Sequence, residues 1–363
     1  MRAPAPMTGV PRDEGYRAPA EWEPHEATWL AWPHSPEDWP GKLESVRWAY
    51  ADWIRHLARG ERVRLLIPDP TTEAQARVML LDAGVDLEQI DWIRCTTDSS
   101  WIRDFGPVFL RREEEPHIAL ARFAFNAWAL YPQFDRDAAV PLALAEFLRA
   151  PRYDATRPEG PIVLEGGSLE FNGVGTLITT EECLLDPAVQ VRNPDMTRAE
   201  LERIFHDYLG IDKTIWLGDG IAGDDTHGHV DDLCRFVDAS TVVLCREDRE
   251  EDVNYRPLRE NRERLEGATL ADGTRLEMVD LPMPHPLYFR GMRLPASYAN
   301  FLIANAAVFV PTFNDPNDRI ALGILGELFT DRDVIGIHAT DLVWGQGTLH
   351  CLSCQEPKAD FAR

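Results

Sequence analysis

Apolar residues recur at helical spacing from Leu43 to Leu57, which predicts a helix there. Val63 to Ile67 is a short apolar run stopped by Pro68 and predicts a strand. Helical and strand patterns alternate along the chain beyond it, the signature of an α/β protein. A longer regularity overlies them. Five polar, mostly Gly-bearing clusters recur: TTDSSWIRDFGP, LEGGSLEFNGVG, GDDTHGHVDD, ASYANFLIANA and GQGTLHCLSC, the first four each running closely into a β-like apolar stretch. With Asp104, Glu165, His229, Asn300 and Cys351 as markers, the intervals are 61, 64, 71 and 51 residues. Such a period fits one supersecondary unit repeated around an axis, each unit offering polar side chains at an equivalent place, as if to one shared pocket.

No linker, charge block or low-complexity segment divides the middle of the 363 residues. The expectation is one catalytic domain over residues 16–358, preceded by a mobile lead-in over 1–15 that is Pro- and Ala-rich and lacks the apolar stretch of a secretory signal. Six of the eleven tryptophans (Trp22, Trp29, Trp32, Trp39, Trp48 and Trp53) fall in the first 53 residues. Their expected role is to pack the opening segment onto the body.

Composition narrows the function classes. The chain has 37 Lys and Arg against 61 Asp and Glu, a net charge of −24. That sign makes the chain a poor candidate for binding a phosphate backbone and so argues against nucleic acid as a partner. It serves solubility first, and it also weakly favours a cationic small substrate at physiological salt. No run is long and apolar enough to span a membrane. Six cysteines are too sparse for a disulfide scaffold, which points to a reducing, cytoplasmic setting.

Four stretches could carry chemistry. In Thr226-His227-Gly228-His229-Val230-Asp231, an extended strand would place His227, His229 and Asp231 on one face, as a metal pair or as a general acid/base histidine beside a carboxylate. In His350-Cys351-Leu352-Ser353-Cys354, the Cys-x-x-Cys spacing has no second pair to make a zinc ribbon. The preceding Gly345-Gln346-Gly347 allows a bend that would lift a nucleophilic cysteine into a pocket. WIRDFGP and LEGGS each set a carboxylate, Asp104 and Glu165, beside a Gly or Pro bend. Taken alone, each is an ordinary turn or a satisfied core histidine. Together they offer a thiol, an imidazole and three carboxylates, a set hostile to anions and suited to clamping a planar guanidinium. The Asp224-Asp225 pair is suited to a second positive charge on the same substrate. A zinc-binding, non-catalytic protein built on His227, His229, Cys351 and Cys354 is the alternative from another class, and it leaves Asp104 and Glu165 unexplained.

The opening PAEWEPHEATWLAWP, with WIRDFGP, LEGGSLEFNGVGTLITTEECLL, GDDTHGHVDD, ASYANFLIAN and GTLHCLSCQEP, resembles the agmatine deiminase family, in that family's order, from Arg17 to Pro357. That family is related to the bacterial-type protein-arginine deiminases. The resemblance implies a five-bladed, pseudo-symmetric α/β-propeller of the pentein type, with the site on its axis. It implies Cys351 as nucleophile, His229 as general acid/base, Glu165 as the residue that orients His229, and Asp104 and Asp231 as the guanidinium carboxylates. Trp101, Asp225 and Asn300 are the further expected substrate contacts. No metal and no cofactor are implied, and a homo-oligomer is left open. The chain departs from the commonest family pattern at His227 and Asp232, where Asn is common, at Glu170, where His is common, and at Cys354, where Gln is common. Those departures bear on the far end of the substrate. An arginine or peptidyl-arginine deiminase therefore stays as the alternative within the enzyme class.

Overall fold

A computed structural model describes residues 5–359. The helix Leu43–Leu57 forms as the spacing predicts, burying Val46, Tyr50, Trp53, Ile54 and Leu57, and the predicted strand lies within Arg62–Ile67. The five-fold period is realised as five sheets of one pattern among the described residues. In the first, Val108–Arg111 runs antiparallel to Ile118–Arg122, which lies parallel to Arg152–Asp154. The second repeats this with Glu170–Phe171, Thr176–Thr180 and Lys213–Leu217. The third uses Cys234–Phe236, Thr241–Arg246 and Glu277–Pro282. The fourth uses Leu302–Ile303, Ala307–Thr312 and Asp333–His338. The fifth joins the two ends of the chain: Ser353–Pro357 pairs antiparallel with His25–Ala31, which lies parallel to Arg62–Ile67, with Ile90–Arg94 beyond.

A parallel pair needs a crossover, and in every sheet a helix supplies it: Asp135–Leu148, Arg198–Leu209, Tyr255–Leu265, Asp318–Leu328 and Leu43–Leu57. Arg198–Leu209 shows why the chain turns where it does. Thr197 and Glu200 form a capping box at its start, and Gly210 takes the left-handed φ of 73° that ends it.

The five polar clusters occupy one structural slot. Asp104, Glu165, His229, Asn300 and Cys351 each stand two to five residues before the first strand of their sheet. Because that strand is antiparallel, its start lies towards the C-terminal end of the parallel pair, where ligands bind in open α/β sheets. Repetition of the fold thus brings together residues far apart in sequence.

Two expectations are corrected here. Residues 1–4 of the lead-in lie outside the described residues, but the rest is tied to the body. Pro11–Glu14 form a 3-10 helix with Pro11 buried, and the Met7 N–H donates to the Arg152 carbonyl at 2.7 Å. Of the six early tryptophans, Trp29, Trp32, Trp39 and Trp53 are core residues, whereas Trp48 is 52% exposed on the outer face of its helix.

Candidate active site

A cavity of about 440 Å³ opens over the clusters. Cys351, Asp104, Trp101 and Asp225 line it. His229, Glu165, Asp231 and Asn300 lie just behind that wall, each no more than 1% exposed.

Cys351 lies in the turn that precedes Ser353–Pro357. The bend before it forms, but its left-handed residue is Gln346, at φ 77°, and not a glycine. The two glycines serve contact instead. A Cβ on Gly345 would lie 2.5 Å from Trp39 Nε1, and one on Gly347 would lie 2.8 Å from the Trp101 ring. Asn300 Nδ2 donates to Cys351 Sγ at 3.1 Å, while its Oδ1 accepts from Thr348 Oγ1 at 2.7 Å and from the His350 N–H at 3.2 Å. Asn300 therefore holds the nucleophile's loop and, like Asp231, is not among the residues that line the cavity. Burial pushes the Cys351 thiol well above its usual range, and Asp231, Asp232 and Asp104 push it further.

Asp104 sits on the one-turn helix Ile102–Phe105. Its Oδ2 accepts from Trp128 Nε1 at 3.0 Å and its Oδ1 from the Gly167 N–H at 3.0 Å. Only glycine allows the second contact, since a Cβ at 167 would stand 2.5 Å from His229 Nδ1. Trp128 reaches Asp104 through three successive left-handed residues, Ala127, Trp128 and Ala129, at φ 49°, 57° and 53°. Non-glycine residues adopt that conformation at a cost of about 1–2 kcal/mol each, a strain typical of functional loops. Burial, with Asp231 and Glu165 nearby, pushes Asp104 up to about 6 against the pull of His229.

His229 stands between two acids, with Nδ1 3.7 Å from Asp104 Oδ1 and Nε2 3.8 Å from Glu165 Oε2. Burial opposes its charge, but the Asp104 carboxylate and its other neighbours raise it well above the usual histidine range. His229 is not on a strand, as the His-x-His spacing led one to expect. His227 and Gly228 turn at φ 65° and 89°, and Val230–Asp232 form a 3-10 turn. Asp224 builds that bend. Its Oδ2 accepts from the N–H groups of Gly228 and His229, and its Oδ1 accepts from Thr226. Its acceptors are spent on the backbone, which removes Asp224 from the expected pair for a second substrate charge; Asp225 remains, with Tyr131 donating to it at 2.6 Å.

Arg192 escaped the reading of the sequence. Its Nε donates to Glu165 Oε1 at 3.1 Å, with both side chains fully buried. Burial alone would raise Glu165, but the guanidinium and His229 hold it down at about 2. Removing one partner of such a pair strands a buried charge, worth about 3–5 kcal/mol. Arg192→Met is accordingly expected to lower the unfolding free energy by that amount, read from chemical denaturation, and an unchanged midpoint would show that the pair does not stabilise the fold.

The expected alternative of a zinc site fails on geometry. His227 Nε2 faces Asp186 Oδ2 at 3.0 Å, and Cys354 Sγ lies 3.5 Å from the Pro107 carbonyl, so neither joins His229 and Cys351. All six cysteines are free thiols.

The frame and the site together define a mixed α/β protein with a thiol set among carboxylates at the ends of its parallel strands. The profile of the Porphyromonas-type peptidyl-arginine deiminase family matches residues 17–357, and the chain belongs to that family. It is 35% identical to an agmatine deiminase of Pseudomonas aeruginosa, over 96% of this chain and 98% of that one. The structure of an agmatine deiminase of Enterococcus faecalis superposes with a TM-score of 0.89 at 29% identity, covering 98% and 100% of the two chains. A cysteine-to-serine variant of agmatine deiminase from C. jejuni, with substrate bound, superposes at 0.82 and 30% identity over 94% and 96%.

Proposed function

We propose that the chain is an agmatine deiminase that hydrolyses a guanidinium to a urea and ammonia through a covalent bond to Cys351. One observation carries the choice of substrate. The cavity that holds the thiol is lined by Glu37, Asp38, Asp98, Asp104, Asp137 and Asp225, and no Lys or Arg is among its lining residues. A substrate with a positive charge at each end suits it. The carboxylate of arginine would enter with no cation to meet it. Burial keeps Asp38 and Asp225 up at about 7, so a second cation at that end would also draw protons off the wall.

The chemistry follows from the charges. At rest Cys351 is a thiol, because burial first, and the neighbouring aspartates second, oppose its ionisation. A guanidinium held by Asp104 and Asp231 supplies the missing positive charge, and the thiol releases its proton to solvent as the cation enters. The thiolate sulfur bonds to the guanidinium carbon. His229, protonated between Asp104 and Glu165, gives its proton to the departing nitrogen, which leaves as ammonia. Water then bonds to the same carbon, one of its protons returning to His229; the carbon–sulfur bond breaks and the hydroxyl proton passes to the departing sulfur, leaving a urea carbonyl and the resting thiol. For agmatine the products are N-carbamoylputrescine and ammonia.

The five sheets fit five blades about a common axis, with one catalytic domain over residues 16–358. Free thiols accord with a cytoplasmic setting. Among the described residues no helix is long and apolar enough to cross a membrane.

A substrate panel tests the assignment. Agmatine is expected to exceed arginine, a blocked arginine peptide and methylated arginines by at least about tenfold in kcat/KM, the factor that about 1.4 kcal/mol of mismatched charge supplies. Ammonia release read across the panel decides it, and equal turnover of arginine would reject agmatine as the preferred substrate.

A further inference from the structure

Behind the site runs a chain of buried groups that the reaction as written does not use. His350, next to the nucleophile, lies between two carboxylates. Its Nδ1 is 2.6 Å from Asp231 Oδ2 and its Nε2 is 2.8 Å from Glu21 Oε2. Both ring nitrogens thus face acceptors, and the ring is 1% exposed. Glu21 is itself fixed: its Oε1 accepts the Ile303 N–H at 2.7 Å, while Arg235 and Arg103 stand 3.0 and 3.6 Å from its Oε2. Arg235 is anchored in turn by Glu170, at 2.8 Å, and by the carbonyls of Ala299 and Phe301. Glu170, one of the departures from the family pattern, therefore serves this network and stands away from the cavity.

We propose that Glu21 and His350 are positioning residues, a relay through which the opening segment of the chain holds Asp231 as the carboxylate facing Cys351. The proposal rests on the deiminase reading for its consequence, since Asp231 is there one of the two groups that grip the guanidinium. The site contains its own control. Asp104, Asp231 and Asp232 are all buried within one cluster. Asp232 takes a bond from the Asn300 amide, and burial with its carboxylate neighbours drives it well above the usual range. Asp104, bonded to an indole and an amide N–H, rises to about 6. Asp231 alone has an imidazole hydrogen-bonded to it, and there the bond and charge of His350, with His229 and Arg235 beyond, overcome the cost of burial and take it below the usual range. The other groups facing it are the Cys351 thiol, 3.7 Å from Oδ2, and the carboxylates of Asp104 and Asp232, which oppose its ionisation. A fixed partner on the far side of a histidine is what orients the ring and sets which proton it holds.

The test reads Asp231 directly and through the enzyme. Protein labelled with ¹³C at the aspartate carboxyls is titrated by NMR, with Asp231→Asn used only to assign the signal. In wild type the Asp231 signal is expected to stay that of a carboxylate down to pH 5. In His350→Gln its midpoint should rise by at least about one pH unit, a tenfold change. Glu21→Gln, more remote and isosteric, should move it in the same direction and serves where His350→Gln does not fold. Because the acid limb of kcat/KM is set first by Asp104 at about 6, the raised Asp231 midpoint should steepen the fall below that pH, and activity should return to within a few fold of wild type at alkaline pH. An unmoved Asp231 midpoint in both variants overturns the relay, as does an equal loss of kcat/KM at every pH. If the midpoint moves while wild type releases no ammonia from any guanidine, the relay stands and the deiminase reading falls.

Discussion

Cys351→Ser is expected to lose turnover by on the order of 10⁴-fold or more, while Cys354→Ser keeps most of it. The two thiols are three residues apart, but the start of the last strand separates their surroundings. Cys351 lies in the turn, lines the cavity and has Asn300 and Asp231 beside its sulfur. Cys354 lies within Ser353–Pro357 with its sulfur against the Pro107 carbonyl, away from the cavity. A serine hydroxyl at 351 keeps the geometry but starts from a far higher pKa than a thiol, and the same three aspartates oppose its anion. Burial also pushes the Cys354 thiol up, to about 12, so it offers no thiolate at neutral pH. Its loss should cost only the modest stability of a small buried group. Wild type quenched with substrate should carry a mass adduct on the peptide containing Cys351. An adduct on Cys354, or a dead Cys354→Ser beside an active Cys351→Ser, would reverse the assignment.

The parts of this architecture that the sequence makes legible are those decided locally. The helix Leu43–Leu57 and the strand ending at Ile67 follow from amphipathic spacing and a proline stop, and their boundaries agree with the structure to within a residue. The five clusters are legible because every repeat needs a polar turn at the same end of its sheet. The partners within the site are another matter. His350 and Asp231 are 119 residues apart and Glu21 and His350 are 329 apart, so no spacing rule can join them. Arg192 sits among Gln190, Asn193 and Pro194, where an arginine reads as a solvated loop residue until Glu165 is found against it. The acids Asp38, Asp98 and Asp137 likewise become a wall only when two loops and the start of the helix Asp135–Leu148 meet. The error over Asp224 is of a different kind. Asp224 and Asp225 are adjacent and alike in sequence, but the left-handed turn at His227 and Gly228 leaves N–H groups that one of them must accept.

Asp104→Asn is expected to reduce kcat/KM for agmatine by about 10²-fold or more and to change the shape of the pH profile. Both Asp104 oxygens already accept a hydrogen bond, from Trp128 and from Gly167, and this holds the carboxylate in one orientation at the cavity wall. An asparagine keeps that shape but brings an NH₂ group to a place built for acceptors. The NH₂ group would then face either the Trp128 indole N–H or the Gly167 N–H, and the charge that steadies both the cation and His229 is gone. The pH dependence separates loss of charge from loss of fold. Burial and the neighbouring carboxylates put Asp104 up at about 6, so below that pH the resting enzyme carries a neutral carboxylic acid there. Wild-type kcat/KM should therefore fall as pH drops through about 6, because a neutral acid grips the guanidinium poorly. Since asparagine does not titrate in this range, the variant should lose that limb while its thermal midpoint stays near wild type. A variant that retains the limb near pH 6 would assign the titration to another group. One with near-normal activity would remove Asp104 from the guanidinium site.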